Sequence, residues 1–474
     1  MKKGLALTFL VAILVFGAFL RLNHLNDESL WLDEGITYYN STGESYADVW
    51  DKTAELDQSP PGYYFVMHTY LEIFGENEFG FRLIPLIFGV LSVLFLYLLM
   101  ASMFDRETGL VAAFLLVANP FHIGFSTESR MYVLLGLFAL MGFYFLYKAL
   151  KSEGAGWIYW LLFILSCIFG MYTHNFFAFV LLGLAFVFLL LIWDSAGKRL
   201  AKLFLGIGSA VLVIVCYLPW LPNFLKQMEV ERYWMAPNSV SNLKEYFLDF
   251  SNGNSYILFG FLALAVIGVI WAMFRKSVFA SLSLVLFLII GIGAPLTYSL
   301  AFEPIMKIRY VVFLVPFWIG LVALGLNVVR KFSLIVQTAI VVLVIYTWIP
   351  WQASAFPVEY GEDYRGLTEI VLDNPAPVVV HSPSIAHVIN FYNSGRFDLM
   401  PFPFSDDLTE YNIGENDKSK YLDLIHGFNS FYLVITHSHE NPHGLLYVWS
   451  DEYCDSGYEV SVEGMRVHYF EGCE

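Results

Sequence analysis

Residues 83–104 read LIPLIFGVLSVLFLYLLMASMF, an apolar run without a charged side chain, entered from Phe81-Arg82 and closed by Asp105-Arg106. A helix rises ~1.5 Å per residue, so a run of this length crosses the ~30 Å hydrocarbon layer of a bilayer and leaves its charges at the two ends. The same signature recurs on both sides. Before it lies Gly4–Leu20; after it come Gly109–Phe125, Met131–Tyr147, Trp157–Tyr172, Phe176–Trp193, Leu203–Leu221, Tyr256–Phe274, Val278–Phe302, Tyr310–Val329 and Ser333–Trp351. The pattern predicts an α-helical polytopic membrane protein with about eleven transmembrane helices. Several runs are shorter than the ~20 residues that cross comfortably, which leaves one short pair open to a re-entrant arrangement. Gly4–Leu20 follows Lys2-Lys3 as a signal peptide would, but it ends at Arg21-Leu22-Asn23 without a small-x-small cleavage site and reads as a retained membrane helix.

Composition agrees. Of 474 residues, 58% are hydrophobic and 14% charged, with mean hydropathy +0.61, against roughly 25% charged in an ordinary soluble domain. A water-soluble enzyme is excluded. The net charge of −16 is unevenly placed, because the last 123 residues carry 5 basic and 20 acidic side chains and the rest carry 21 and 22. A basic nucleic-acid-binding surface has no support, and neither a Walker loop nor a strand-following GxGxxG is present. The four cysteines are too few for a disulfide scaffold; Cys454 and Cys473 are the one possible pair, allowed only if the tail faces an oxidising compartment.

Lys and Arg collect in alternate short loops, at Lys2-Lys3, Arg106, Lys148 with Lys151, Lys198-Arg199 with Lys202, Arg275-Lys276 and Arg330-Lys331. The positive-inside rule then places the amino terminus in the cytoplasm and, with an odd number of spans, the acidic tail outside. The predicted division is a membrane domain over 1–351, including a first outer loop over 22–80, and an extracytoplasmic α/β domain over 352–474. In the tail, Asp363–Leu372 and Ile385–Tyr392 have helical spacing, Pro377–Val380 and Phe431–Ile435 read as buried strands, and Tyr458–Phe470 alternates about Glu463-Gly464 as a hairpin. Asn40-Ser41-Thr42 is an N-glycosylation sequon.

The long loops all fall on the outer side, and so do the candidate chemical groups. The first loop holds Trp31-Leu32-Asp33-Glu34, two adjacent carboxylates at a membrane surface; mutual repulsion and a low-dielectric neighbour suit one of them to act as a general base, while an acidic first helical turn is the plainer reading. Farther on, Asp57-Gln58-Ser59-Pro60-Pro61-Gly62 forces extended backbone before an interfacial helix, Tyr63–Phe74, which carries His68. Glu128 and Arg130 stand at the mouth of the fourth span beside Tyr132, and His174 lies in the short turn Tyr172-Thr173-His174-Asn175. The fifth outer loop, Glu303-Pro304-Ile305-Met306-Lys307-Ile308-Arg309-Tyr310, breaks the positive-inside trend. Cations kept on that face fit a phosphate, through the planar fork of Arg309 and the point charge of Lys307. Carboxylates for an acceptor and cations for a departing anion together suit group transfer from a lipid-borne phosphate.

The pattern Arg21…Trp31-Leu32-Asp33-Glu34, then Asp57-Gln58-Ser59-Pro60-Pro61, then Phe74-Gly75…Phe81-Arg82-Leu83-Ile84-Pro85 resembles the protein O-mannosyltransferase and aminoarabinose-transferase group of polytopic GT-C glycosyltransferases. Glu128-x-Arg130-x-Tyr132, Thr173-His174, Arg309-Tyr310 and a soluble domain after the last span are similar to the same group. The resemblance implies an inverting transfer of a sugar from a polyprenyl- or dolichyl-phosphate carrier to an acceptor hydroxyl on a glycan, lipid or protein. It implies Asp33 as general base, Glu34 beside it, Glu128 and Arg130 lining the site, and Arg309 with Lys307 on the leaving phosphate. Asp57, Tyr132, His174 and Tyr310 complete the expected substrate-binding set. No cofactor is firmly implied; a divalent cation held by Asp33, Asp57 and Glu128 is the alternative drawn from related enzymes. Two other function classes stand beside this one. A transporter or flippase of lipid-linked sugars would carry charges at mid-membrane on broken helices, and an assembly scaffold would use the acidic tail to recruit partners.

Overall fold

The computed structural model describes residues 2–473 apart from 24, 27, 154–155, 230–234, 236, 276, 354–360, 382, 404–412 and 437–443. Lys276 of the basic-loop pattern therefore lies outside the described residues. The chain forms two compact units, one of Met1–Leu25, Gln58–Tyr63 and Arg82–Phe356, the other of Asn26–Asp57, Tyr64–Phe81 and Pro357–Glu474. Of the first outer loop, 22–25 and 58–63 fall in the first unit, and 26–57 and 64–80 fall in the second with the tail.

The first unit is a bundle of apolar helices. Among the described residues, nine are long and apolar enough to cross a membrane: Lys3–Leu22, Glu78–Met103, Tyr132–Lys151, Gly156–Thr173, Phe177–Asp194, Arg199–Tyr217, Ser255–Met273, Val278–Ala301 and Ile308–Phe332. Two runs of the sequence reading fall short of that length. Gly109–Phe125 divides into helices Arg106–Ala118 and Pro120–Phe125, because the Asn119 side chain caps the second and Pro120 starts it. Ser333–Trp351 forms helix Leu334–Ala353, whose apolar part is Leu334–Ile349. The span Ile308–Phe332 is buried along its whole apolar window, as an all-round hydrophobic helix at the centre of a bundle must be. Lys3–Leu22 and Arg199–Tyr217 instead expose Leu7, Val15, Phe19, Phe204 and Ile214, the faces that lipid covers. Phe143, Phe287 and Phe317 pack together in the core, with ring centres 4.4 to 5.4 Å apart. Small residues set the closest helix crossing, where a methyl group on Gly325 would lie 1.9 Å from the carbonyl oxygen of Leu264.

The second unit is α/β. Strands β1 (Val378–His381), β2 (Leu399–Phe402), β3 (Ser430–Ile435), β4 (Cys454–Val462) and β5 (Met465–Cys473) form one sheet in the order β2-β1-β3-β5-β4. β1 is parallel to β2 and β3, while β5 runs antiparallel to β3 and β4. Gly464, at φ +72°, makes the turn between β4 and β5, and Cys454 is joined to Cys473 by a disulfide across this hairpin. Helix Pro383–Asn393 packs against helix Leu32–Ser41 of the early segment. Gly35 permits that approach, since a methyl group there would come within 2.3 Å of Val388. Tyr39 stacks on His387 with ring centres 3.8 Å apart, and Ser29 Oγ donates to the Glu362 carbonyl at 2.7 Å.

Candidate active site

In the bundle, the turn between Phe125 and Tyr132 is wound by its own hydroxyls. Thr127 Oγ1 donates to the Gly124 carbonyl at 3.0 Å, and Arg130 N donates to the Glu128 carbonyl at 2.7 Å. Glu128 and Arg130 are each only 7% exposed. Ionised groups so deeply withdrawn from water are costly, which sets them apart from snorkelling surface charges. The Arg130 guanidinium lies 5.8 Å from the Tyr132 ring centre.

His174 sits at the centre of an aromatic cage. Its ring centre is 6.0 Å from Tyr132, 5.6 Å from Phe176 and 5.1 Å from Tyr310. The Phe176 amide donates to His174 Nδ1 at 3.0 Å, which places the imidazole proton on Nε2. Burial, reinforced by the positive charges of Arg130 and Arg309, lowers its pKa to about 3. It is therefore neutral at physiological pH. Arg130 and Arg309, far apart in the chain, thus both act electrostatically on one imidazole.

The strand-like segment before Tyr310 is fixed by side-chain amides. Asn238 Nδ2 donates to the Met306 carbonyl at 3.0 Å, its Oδ1 accepts the Met306 amide at 3.2 Å, and Ser299 Oγ accepts the Ile305 amide at 2.9 Å. Lys307 and Arg309 are half-buried.

The double-proline motif acts on the same region. Asn175 Nδ2 donates to the Gln58 carbonyl at 2.7 Å, and a methyl group on Gly62 would lie 2.5 Å from the Tyr172 carbonyl oxygen. The stretch Gln58–Gly62 is thereby clamped to the His174 turn. Two further buried partners lie nearby: Arg21, which the sequence offered only as part of a motif and without a role, and His122, which it did not single out. Arg21, fully buried, donates to the carbonyls of Gly17 and Val117 at 3.1 and 3.2 Å and contacts His122 Nδ1 at 2.9 Å. His122 was hidden inside what reads as one apolar run; the signal for it was the Asn119-Pro120 helix start.

In the second unit, Asp33 and Glu34 occupy the first turn of helix Leu32–Ser41. Glu34 is fully buried and its Oε2 accepts the Trp31 amide at 3.3 Å, whereas Asp33 is partly exposed. Asp57 Oδ2 accepts from Asn40 Nδ2 at 2.8 Å and from the Tyr64 hydroxyl. These bonds tie the ends of helices Leu32–Ser41 and Gly62–Phe74 together. Asn40 is 1% exposed, so its amide is closed to glycosylation in the folded chain. His68 is buried and donates through Nδ1 to the Ser41 carbonyl at 2.9 Å. Among the described residues no three His, Cys, Asp or Glu side chains converge to hold a metal ion.

The family model described as dolichyl-phosphate-mannose-protein mannosyltransferase matches residues 58–222, a stretch that contains Glu128, Arg130, Tyr132 and His174. "Putative mannosyltransferase YkcB" of Bacillus subtilis (strain 168) is 25% identical over 215 residues, 43% of this chain, and the match spans only 29% of that relative's length. The structure of ArnT from Cupriavidus metallidurans in the apo state superposes with TM-score 0.67 at 16% identity, covering 99% of this chain and 98% of that one. The same protein has been solved bound to undecaprenyl phosphate, and it then superposes with TM-score 0.65 at 15% identity over 99% and 98% of the two chains. The archaeal oligosaccharyltransferase AglB from Archaeoglobus fulgidus superposes with TM-score 0.56 at 15% identity over 97% and 73%. The chain thus has the ArnT-like fold, a multi-pass helical bundle with a small sheet domain, and it resembles the GT-C glycosyltransferases of the aminoarabinose-transferase and protein mannosyltransferase group.

Proposed function

We propose that this chain is an inverting membrane glycosyltransferase that takes a sugar from a polyprenyl-phosphate carrier and transfers it to an acceptor hydroxyl at the extracytoplasmic face. The observation that carries the reading is the convergence of Arg130 and Arg309 on the caged, neutral His174. Two guanidiniums around a buried polar centre at the end of apolar helices suit a phosphate delivered from the membrane.

In the proposed reaction, Asp33 accepts the proton of the acceptor hydroxyl as its oxygen attacks the anomeric carbon. The bond from that carbon to the carrier phosphate breaks, and its electron pair leaves on the phosphate oxygen. A single displacement inverts the anomeric centre. Arg309, with Lys307, stabilises the charge that grows on the leaving phosphate. Arg130 and Glu128 line the donor site, Tyr132 and Tyr310 wall it, and His174 donates a hydrogen bond from Nε2 without carrying charge. Burial keeps Glu34 as the residue that orients Asp33 through the helix start, and Asp57 fixes the loop that presents both. The disulfide of the sheet domain supports an oxidising compartment for the tail and hence the outer face for the chemistry.

The test is sugar transfer in membranes supplied with a panel of polyprenyl-phosphate sugars. Asp33→Asn and Arg309→Ala should each lose transfer, by roughly 10²–10⁴ fold for the base. Undiminished transfer by both variants would contradict the assignment.

A further inference from the structure

The opposite end of the same bundle holds a second charged feature that sugar transfer does not use. A cavity of about 320 Å³ opens there among Asp105, Lys151, Asp194, Trp271, Arg275 and Lys331. Its two acids are already committed. Asp105 caps helix Arg106–Ala118 through the Thr108 amide at 2.8 Å and accepts from Asn327 Nδ2 at 3.0 and 3.3 Å. Asp194 is paired with Lys151 at 2.5 Å.

The remaining cations are not balanced. The Arg275 guanidinium lies 4.8 Å from the Trp271 ring centre and Lys331 Nζ lies 5.1 Å from it. Both side chains are exposed, and among the described residues neither is paired with a carboxylate. Two like charges held over one indole gain from an anion placed between them. The cavity is also lined by Ser277 and Ala280 at the amino end of helix Val278–Ala301, which adds the positive pole of that helix to the two cations.

We infer that this cavity binds the phosphate of an anionic lipid headgroup, with Arg275 and Lys331 as the phosphate ligands and Trp271 as the interfacial wall. The occupant is membrane lipid because the cavity lies where the spans end and its cations stand on the basic-loop side. It is separate from the donor phosphate site. Arg309 and Lys331 lie near opposite ends of the 25-residue span Ile308–Phe332, about 35 Å apart at the helical rise.

The test uses the full chain purified in mild detergent, with binding read by native mass spectrometry against phosphatidylglycerol, phosphatidylcholine and inorganic phosphate as separate probes. One phosphatidylglycerol per chain should be retained in preference to phosphatidylcholine. Arg275→Ala with Lys331→Ala should weaken that binding about tenfold or more, while Lys2→Ala with Lys3→Ala, basic-loop residues that do not line the cavity, should change it less than twofold. Arg275→Gln alone carries the same test if the double variant fails to fold. Equal retention of the two lipids, or equal losses from both double variants, overturns the inference by showing diffuse headgroup contact. Inorganic phosphate that binds as tightly as the lipid also overturns it, in favour of a free anion.

Discussion

The two ends of the helical bundle use the same residue types in opposite ways. At one end Arg21, Arg82 and Arg130 are buried. Arg21 is spent on backbone carbonyls and His122, Arg82 on the Leu25 carbonyl at 3.1 Å, and Arg130 on the face of Tyr132. At the other end Arg199, Arg275 and Lys331 are exposed and lie over Trp193 or Trp271. Exposed cations at the membrane surface cost little and set orientation; buried ones cost several kcal/mol each in desolvation and persist where the surroundings or a ligand repay it.

That contrast is open to direct attack. The largest effect should come from charge removal at the buried end: Arg130→Ala should lower sugar transfer roughly 10²–10³ fold, whereas Arg199→Ala should leave it within about twofold, as an isolated surface charge does. Comparable losses from both would erase the distinction.

The same principle extends to a buried acid in the sheet unit. Burial raises the Glu362 carboxyl to about 7, against the hydrogen bonds from Tyr364 and Thr436 that lower it. A carboxyl held above its ordinary value of 4.5 favours folding in its protonated form, so its contribution is complete below about pH 4.5 and is lost as pH rises through about 7. Thermal unfolding should therefore show stability falling over that interval by on the order of 3 kcal/mol, and Glu362→Gln should flatten the decline. An unchanged slope in the variant would assign the decline to another group.

A neutral perturbation comes next in size. Gly325→Ala drives a methyl group into the Leu264 carbonyl and should destabilise the bundle by about 1–3 kcal/mol, while Gly260→Ala, on the same helix as Leu264 with open space around it, should be neutral or slightly stabilising. Equal melting temperatures for the two variants would mean that the crossing has room to relax.

The smallest expected change is in pH dependence. His174, depressed to about 3 from 6.5, stays neutral across pH 5–8, and the stability it supplies in that form is lost only as pH falls from about 6.5 toward 3. The pH profile of transfer over pH 5–8 should keep its shape in His174→Gln even if its height drops. A limb near pH 6 that vanishes in the variant would show that the imidazole titrates.

Much of this was legible in the sequence because hydrocarbon imposes a simple rule: uncharged runs of the right length become spans, and the charges that interrupt them mark the ends. Glu128, Arg130, His174 and Arg309 stood out as charges or imidazoles next to hydrocarbon. Their convergence on one ring was not legible, because Arg130 and Arg309 belong to different turns brought together only by packing around the buried span Ile308–Phe332. Asp33 and Glu34 look equivalent in the chain, yet the helix start buries Glu34 and leaves Asp33 partly exposed, a difference that only three-dimensional placement creates. His122 and the break at Asn119-Pro120 were masked by apolar neighbours. The Pro60-Pro61 segment was legible as a backbone constraint and as part of a motif, but its attachment to Asn175 was not, because that is a side-chain-to-carbonyl bond between distant segments.

The most direct test is binding of a polyprenyl phosphate to the purified chain in nanodiscs, compared between Arg309→Ala and Arg199→Ala. The donor-phosphate role of Arg309 predicts that Arg309→Ala abolishes or weakens binding at least tenfold and that Arg199→Ala leaves it unchanged. Equal binding by Arg309→Ala and the unaltered chain would contradict it.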